Sequence, residues 1–405
     1  MEKKNDKAGN SFFAFIASIL FFLFLDPYFM WKLQKTTPLY TFLGLILFFV
    51  SFLNADIKSK SRGGLFALYS LLLTISIFYD GLNLFGISAI LCLLFIPFLK
   101  EQFAKKTYDY FLTIYSIVIG ISGIVWILSL LDVVSPIGII SPLNDLKVYK
   151  YNVYPLLVRP DTFYLLERFC GPFDEPGVIG TISAIILTIG GFNLRDKRLM
   201  IVFIVGILSM SMFYYAIVAV YYIVYTLTIS NDKKFGFLLI ASLAALVVFS
   251  MSNELLSETL WSRFMWDEDA GSFAGDNRAQ EHTLKLLQSA SGSVLFFGMG
   301  KTDQLLKATS GEASIFVAIL QYGLVFVLVY FYLFASYAWK YKKKGIAYLL
   351  FLFVFAACLY QRPFLFYPEY LFLYSLMAMN CGELSENKKQ ISRRGLLIKN
   401  LVHKV

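Results

Sequence analysis

Charged residues are scarce in this sequence. They make up 16% of its 405 residues, whereas soluble domains carry about 25%. Hydrophobic residues account for 58% and aromatic residues for 18%. So few charges, gathered between long apolar runs, cannot give a chain of this length a water-facing surface. The scarcity excludes a soluble globular protein and indicates a polytopic all-α membrane protein.

Histidine and cysteine are also rare, with two and four residues. His282 is the only histidine outside the C-terminal tail, so the sequence excludes a histidine-rich metal site. The cysteines show no paired spacing, which argues against both a zinc site and a disulfide framework. We therefore predict a protein that uses no metal and no other cofactor.

Apolar runs of about 15 to 25 residues dominate what the sequence does contain, and such runs are long enough to cross a hydrocarbon core about 30 Å thick. We interpret the whole chain, residues 1–405, as a single transmembrane domain. The run 199–229 is too long for one crossing, and we divide it near Ser209-Met210-Ser211. The twelve predicted spans lie at about 11–30, 38–53, 64–79, 82–99, 108–131, 176–192, 199–212, 213–229, 235–252, 312–339, 345–360 and 364–380.

Basic residues divide unevenly between the two sides that twelve spans define. With a cytoplasmic N-terminus, the 36 Lys and Arg fall as 24 inside and 12 outside, and the 27 acidic residues as nine inside and 18 outside. Lys and Arg favour the cytoplasmic side of membrane proteins. The split predicts cytoplasmic N- and C-termini, and it explains the net charge of +9 without a nucleic-acid partner.

Two of the predicted outside loops are long, at 132–175 and 253–311, while the other connections are short. Long external loops are where a membrane protein handles a polar substrate or a partner. The C-terminal segment 381–405 is basic and partly apolar, which predicts a cytoplasmic tail that contacts anionic membrane lipids. We therefore expect any active site on the outer side.

The first long loop ends in a strongly polar segment directly before the sixth span. It reads Glu167-Arg168-Phe169-Cys170-Gly171-Pro172-Phe173-Asp174-Glu175-Pro176-Gly177. One interpretation is helix capping, because Pro176 suits the first turn of a helix and the acidic pair suits its positive end. The other is an anion site formed by Arg168 and the helix N-terminus, with Glu175 as a base or hydrogen-bond acceptor. We favour the anion site, because polar groups beside a bilayer are costly unless they are used.

The second long loop contains a predicted amphipathic helix. At about 100° per residue, one of its faces carries four polar side chains, those of Arg278, Glu281, His282 and Lys285. Two interpretations stay open, namely ion pairs within a solvated helix or contacts to a substrate. A lone histidine such as His282 is more often a structural hydrogen-bonding group than a base.

A third polar feature, Gln361-Arg362-Pro363, lies in the short outside turn before the last span. Arg362 could reach the membrane interface by extending its side chain. It could also pair with Glu369, which lies inside the last span and needs a partner there. We count Gln361 and Arg362 among the candidate substrate-binding residues.

Together these features resemble the superfamily of O-antigen polymerases (Wzy) and O-antigen ligases. The resemblance rests on the twelve spans, the two long loops, the segment 168–177, the Asn277-Arg278 helix and Phe297-Gly298-Met299-Gly300. It covers the layout of the whole chain, but its motifs cover only about forty residues. The loop pattern of arginine and glycine described for some polymerases is not reproduced, since eleven residues separate Arg159 from Gly171.

The resemblance implies a glycosyltransferase of the C type in a bacterial inner membrane, with its active site facing the periplasm. Its donor would be an oligosaccharide on undecaprenyl diphosphate, and its working partners would include a chain-length regulator and a flippase. Arg278 and either Arg168 or Arg159 would hold the donor diphosphate. Glu175 is the first candidate for the base and Glu281 the second, and Arg263 is a further candidate for substrate binding.

Polymerase is favoured over ligase because Glu312-Ala313-Ser314 stands where ligases have a histidine. A ligase remains the first alternative. The second, from a different class, is a flippase for lipid-linked oligosaccharides or another transporter. A transporter should carry charges deep within its spans, whereas nearly all charges here lie at the span ends.

Overall fold

The structure is a computed structural model, and several of the predicted features lie outside the residues that it describes. Those features are Arg263, Arg278 and Glu312, the side chain of Glu281, the predicted span 235–252, most of the loop 253–311 and the tail 381–405. The described residues are 2–34, 37–58, 60–80, 91, 93–141, 150–161, 167–228, 252, 266–267, 272–273, 281–302, 305, 314–342 and 345–380.

Helices make up most of the described chain, in agreement with the predicted all-α class. In chain order they are α1 (Glu2–Phe24), α2 (Tyr28–Gln34), α3 (Thr37–Leu53), α4 (Lys60–Asp80), α5 (Glu101–Leu130), α6 (Pro176–Ile189), α7 (Lys197–Leu208), α8 (Met212–Thr228), α9 (Glu281–Ser289), α10 (Gly292–Phe297), α11 (Ile315–Tyr322), α12 (Leu324–Lys342), α13 (Ile346–Gln361) and α14 (Pro368–Asn380).

Three of these helices are long and apolar enough to cross a membrane, through the stretches Arg62–Tyr79, Glu101–Leu130 and Leu324–Tyr341. Shorter apolar helices accompany them, over Ser11–Phe24, Pro38–Leu53, Pro176–Ile189, Met212–Val224 and Ile346–Gln361. The chain is therefore compatible with a helical membrane protein, while the count of twelve spans stays a prediction.

Helix α5 shows the inverted polarity that a lipid environment favours. Ile117, Ile121 and Ile124 are exposed on one of its faces, at 54%, 42% and 61%. Ser122 and Ser129, on the opposite face, are buried against the other helices. A continuous exposed stripe of isoleucine is costly in water but favourable against lipid tails.

The long loop between α5 and α6 contains strands, which the sequence did not predict. Strands β1 (Gly138–Ile140), β2 (Tyr151–Tyr154) and β3 (Leu157–Pro160) form an antiparallel sheet in the order β1-β2-β3. A second, two-stranded sheet pairs β4 (Trp266–Asp267) with β5 (Ser272–Phe273). Strands of two to four residues are too short to show a period of two in a sequence, because their stability comes from pairing.

Contacts between distant segments show which segments connecting the helices lie at the same end of the helical bundle. At one end, the backbone N–H of Lys100 donates to Asn54 (2.8 Å), and Arg198 pairs with Asp109 (2.8 Å). At the other end, Tyr28 donates to the carbonyl of Pro172 (2.7 Å). The first group belongs to segments predicted to lie inside, and the second to segments predicted to lie outside.

Helix boundaries agree with the predicted spans at one difficult position and differ at two others. The predicted break of the run 199–229 is present, since α7 ends at Leu208 and α8 begins at Met212. The first predicted span, 11–30, is interrupted after α1, where Asp26 takes a φ of 61° before Pro27. The span predicted at 312–339 is two helices, broken at Gly323 with a φ of 89°.

Candidate functional site

The polar segment that precedes α6 is held in place from several sides. The backbone N–H of Phe169 donates to the carbonyl of Leu208 (3.1 Å), and that of Val158 in β3 donates to Gly171 (2.9 Å). The side chains of Phe169 and Phe173 are fully buried. Gly171 takes a φ of 59°, which favours glycine. The segment is therefore a fixed part of the bundle, and its charged side chains have defined positions.

Arg362 and Glu175 form an ion pair that joins the start of α6 to the end of α13. Nη2 of Arg362 lies 2.5 Å from Oε2 of Glu175. The arginine side chain is only 6% exposed, whereas that of the glutamate is 37% exposed. The predicted pairing of Arg362 with Glu369 is wrong, because Arg362 pairs with Glu175. The partners are 187 residues apart, so no local pattern reveals them.

The guanidinium of Arg362 is only partly satisfied by this pair. Its Nε is buried and has no hydrogen-bond partner. Its Cζ lies 5.7 Å from the centre of the Phe364 ring, which covers one face of the group. A buried polar atom without a partner is uncommon and calls for an explanation. Such an atom loses its hydrogen bond to water, and no bond within the protein offsets that cost.

Gly177, in the first turn of α6, allows Arg362 to approach the helix N-terminus. A Cβ atom at this position would lie 2.7 Å from Nη2 of Arg362. Glu175 occupies the N-cap position with extended backbone angles, but it makes no capping hydrogen bond with its side chain in the described structure. Glu175 therefore has the N-cap position that the capping interpretation requires, and its carboxylate also contacts Arg362.

Arg168 contacts the turn that joins α7 to α8. Its Nε donates to the carbonyl of Ser209 (3.2 Å). The same turn packs against Gly180 of α6, where an added Cβ would lie 2.2 Å from Cβ of Ser211. Gly177 and Gly180 are three residues apart, so they lie on the same side of α6, about 4.5 Å apart along its axis. Arg168 and Arg362 thus belong to the same end of α6.

We call Arg168, Glu175, Gly177 and Arg362 the α6 site. The site combines two guanidinium groups with the N-terminus of a helix, whose unpaired N–H groups carry a partial positive charge. Glu175 pairs with Arg362, and the neighbouring Asp174 places a second negative charge near that arginine. Such an arrangement can bind an anion with several oxygens, most simply a phosphate or a diphosphate.

Arg159 lies outside the α6 site and has a different partner. Its Nε and Nη2 donate to the two carboxylate oxygens of Glu167, at 2.8 and 2.5 Å, and its Nη1 donates to Ser129 (3.0 Å). Burial lowers the pKa of the Arg159 guanidinium, but the hydrogen bonds and charge of Glu167 outweigh that effect and raise it. With all three nitrogens occupied, Arg159 fastens β3 to α5. Of the two arginines that the sequence left as alternatives, Arg168 lies at the end of α6 and Arg159 is bound to Glu167 and Ser129.

Glu369, the acidic side chain predicted inside the last span, is in the first turn of α14. It is 2% exposed, and its Oε2 has no hydrogen-bond partner. The hydroxyl groups of Tyr370 and Tyr374, on the same helix, are also buried without partners. The cost of placing Glu369 here follows from its sequence position, but only the structure shows that one of its carboxylate oxygens lacks a partner.

Two remaining candidates do not reach the α6 site through described contacts. Gln361 is the last residue of α13 and is half-buried beside Arg362. His282 is exposed on α9, while the next residue, Thr283, is fully buried, as the amphipathic period predicts. Within the described ranges, the acidic, histidine and cysteine side chains form no group that could hold a metal ion.

Comparison with known proteins does not assign the site. No family model matches the chain, and no curated protein or solved structure is significantly similar to it.

One signal in the sequence could have pointed to the Arg362 contact. Glycine inside a helix costs roughly 1 kcal/mol relative to alanine, so Gly177 in the first turn of an apolar helix needs a reason. The structure supplies one, which is the close approach of a side chain from α13. The sequence offered no means of naming that side chain.

Proposed function

We propose that this chain is a bacterial inner-membrane glycosyltransferase that joins oligosaccharide repeat units carried on undecaprenyl diphosphate. The observation that carries the proposal is the buried guanidinium of Arg362, with an unpartnered Nε, against the N-terminus of α6. Together with Arg168 it offers cationic donors to a diphosphate at the end of an apolar bundle. Bound lipid tails could then lie along the exposed isoleucine stripe of α5 and its neighbours.

The reaction needs groups that this end of the bundle offers. The hydroxyl of the acceptor sugar attacks the anomeric carbon of the donor, and the bond from that carbon to the diphosphate oxygen breaks. The electron pair leaves with the diphosphate, where Arg168 and Arg362 stabilise the negative charge without a metal. The proton of the acceptor hydroxyl passes to a carboxylate, for which Glu175 is the first candidate.

The orientation of the chain is part of the proposal. With cytoplasmic termini, the α6 site faces the periplasm, where finished lipid-linked repeats are found once a flippase has moved them. A chain-length regulator would be a further partner. Two observations support this orientation. Segments of the same predicted side meet at the same end of the bundle, and the basic segments 54–63, 100–107 and 193–198 gather at the end away from Arg362.

The decisive experiment supplies purified protein in nanodiscs with synthetic lipid-linked repeat units and measures the length of the product. We expect polymers from the wild-type protein, and only unreacted repeats from Arg168→Ala and Arg278→Ala. A deletion strain should carry surface glycan with at most one repeat unit. Long polymer held on undecaprenyl diphosphate and absent from the surface would instead indicate a ligase.

Glu369 favours a second candidate function, which is transport of the lipid-linked oligosaccharide. A carboxylate buried at the start of α14, beside two unpartnered tyrosine hydroxyls, is the kind of group that lines a transport path. Flipping of a fluorescent lipid-linked oligosaccharide in liposomes separates the candidates. A transporter moves the lipid between leaflets without changing it, whereas a polymerase lengthens the glycan.

A further inference from the structure

We infer that Glu175 occupies the anion site of Arg362 in the empty protein and that the donor diphosphate displaces it. Displacement frees the carboxylate to act as the base, so the base becomes available only when a donor is bound. This inference rests on the proposed function for the identity of the anion. It assigns Arg362 the role of a phosphate-binding residue whose resting partner belongs to the protein itself.

The geometry of the Arg362–Glu175 pair supports displacement. One hydrogen bond joins the two side chains, from Nη2 of Arg362 to Oε2 of Glu175 (2.5 Å). Carboxylates that serve only to hold an arginine often engage it with both oxygens, as Glu167 does with Arg159. The single contact leaves Nε of Arg362 buried and without a partner. A tetrahedral phosphate group has the oxygens to engage Nη2 and a second nitrogen at once.

Arg362 and Glu175 differ in burial, which also supports displacement. Arg362 is almost fully enclosed, but Glu175 is 37% exposed and lies at the outer edge of the pair. The glutamate can therefore rotate toward solvent, whereas the arginine stays in place. A partly exposed carboxylate gains contact with water when it leaves, and this offsets part of the lost ion pair. An incoming anion then binds the guanidinium of Arg362, which is already in position.

The carboxylate of Glu175 and the donor diphosphate are attracted to the same small positive region. Glu175 lies at the N-cap of α6, where the helix favours a negative charge, and the diphosphate would be drawn to the same place. Two anions held at Nη2 of Arg362 would repel each other, so the diphosphate and Glu175 compete for this nitrogen. A carboxylate that pairs with arginine is also a weak base, because the positive charge stabilises its deprotonated form. Release from Arg362 removes that stabilisation.

Competition predicts that removing the charge of Glu175 strengthens anion binding. We would measure the binding of radiolabelled pyrophosphate, and of undecaprenyl diphosphate, to the full chain in nanodiscs of zwitterionic lipid. Glu175→Gln should bind both about 5- to 10-fold more tightly than the wild type, from the loss of one partly exposed competing ion pair. Glu167→Gln is the matched control and should leave both affinities unchanged.

The gain must depend on Arg362. In the double variant Glu175→Gln with Arg362→Ala, we expect it to disappear. If Glu175→Gln binds no more tightly than the wild type, or if the gain survives the loss of Arg362, the inference is wrong. An equal gain in Glu167→Gln would also overturn it, since the effect would then be a general change of charge.

A second measurement uses the unaltered protein, so it does not depend on the folding of a variant. A water-soluble carbodiimide modifies accessible carboxylates, and mass spectrometry reports the extent at each residue. Pyrophosphate should raise the modification of Glu175 severalfold and leave Glu167 unchanged. Modification that stays constant or falls would contradict displacement. The same rise with phosphatidylglycerol would show that bulk anionic lipid displaces Glu175, and it would overturn the assignment to a diphosphate.

The inference and the proposed function can fail separately. If pyrophosphate and undecaprenyl diphosphate release Glu175 but lipid-linked repeats are never joined, the diphosphate site stands and the polymerase proposal falls. If polymer forms while Glu175 stays paired, the polymerase stands and the base lies elsewhere.

Discussion

Two arginine–glutamate pairs lie at the same end of the bundle, and they are built differently. Arg159 and Glu167 meet through two hydrogen bonds, and Ser129 takes the remaining nitrogen of the arginine. Arg362 and Glu175 meet through one contact, and one nitrogen of that arginine has no partner. The first pair is complete, whereas the second has an unused donor, Nε of Arg362, beside a helix N-terminus.

The difference teaches that charge in a loop does not by itself indicate a binding site. Both pairs come from loop segments that appear equally polar in the sequence. A complete pair stabilises the fold by joining two elements, and a ligand could not enter it without breaking several bonds. An incomplete pair at the edge of an apolar bundle can exchange its partner. Variants of the two pairs should accordingly affect different measurements.

The largest expected effect is the loss of turnover in Arg362→Ala. Removing one donor to a developing charge lowers the rate by about 10²-fold, and the variant should make no long polymer at an unchanged protein level. Arg362→Lys should recover only part of the activity, because lysine lacks the planar fork of two donors. The measurement is polymer length from lipid-linked repeats in nanodiscs. Wild-type turnover in Arg362→Ala would remove the distinction between the pairs.

The next effect is on stability and concerns the other pair. Arg159→Ala leaves the carboxylate of Glu167 unpaired, and that side chain is only 12% exposed. We expect the free energy of unfolding to fall by about 2 kcal/mol, with near wild-type turnover for each folded molecule. Thermal unfolding in detergent and turnover per folded protein separate the two quantities. A stable but inactive Arg159→Ala would move the donor site to this pair.

A smaller effect is expected from Gly177→Ala, with Gly180→Ala as its matched control. The new methyl group at Gly177 meets the end of the Arg362 side chain, which must shift by a few tenths of an ångström or more. We expect turnover to fall about tenfold with little loss of stability. At Gly180 the methyl group meets Ser211 of the α7–α8 turn, so stability should fall by about 1–3 kcal/mol. Equal effects of both variants on stability and turnover would indicate that Gly177 serves packing alone.

The smallest effect should come from an ion pair at the opposite end of the bundle. Hydrogen bonds from Arg198 hold the pKa of the Asp196 carboxyl below its ordinary value of 3.8. A lowered pKa in the folded state stabilises the protein above pH 3.8, and this contribution is lost as the pH falls through the folded-state value. Asp196→Asn should therefore lower the free energy of unfolding by about 0.5 kcal/mol at neutral pH, because both side chains of the pair are partly exposed.

Thermal unfolding of the wild type and Asp196→Asn between pH 7 and pH 3 tests this expectation. The difference between the two proteins should shrink as the pH falls, and turnover should be the same. A difference that stays constant over this range would show that Asp196 acts through its capping hydrogen bond to the N–H of Arg198, without its charge.

Composition and the lengths of the apolar runs were sufficient to predict a helical membrane protein. The break at Ser209-Met210-Ser211 was predictable because the run exceeds what one crossing can hold. The strands of the loop 132–175 were not, because segments of three or four residues carry no periodic signal. The break at Gly323 lies within a run that is apolar except for Gln321, where a single glycine is compatible with either a helix or a turn.

For the candidate site, the sequence by itself determined which side chains were unusual for their surroundings: Arg168, Glu175, Arg362 and Glu369. Each is a charged group beside or within an apolar run, and burial penalises such groups strongly enough to make them stand out. Only the tertiary structure decided how they combine. Arg362 pairs with Glu175 and not with Glu369. Glu167 pairs with Arg159 and not with Arg168. The physical reason is that ion pairing depends on distances of a few ångströms, and the packing of helices, strands and loops sets those distances.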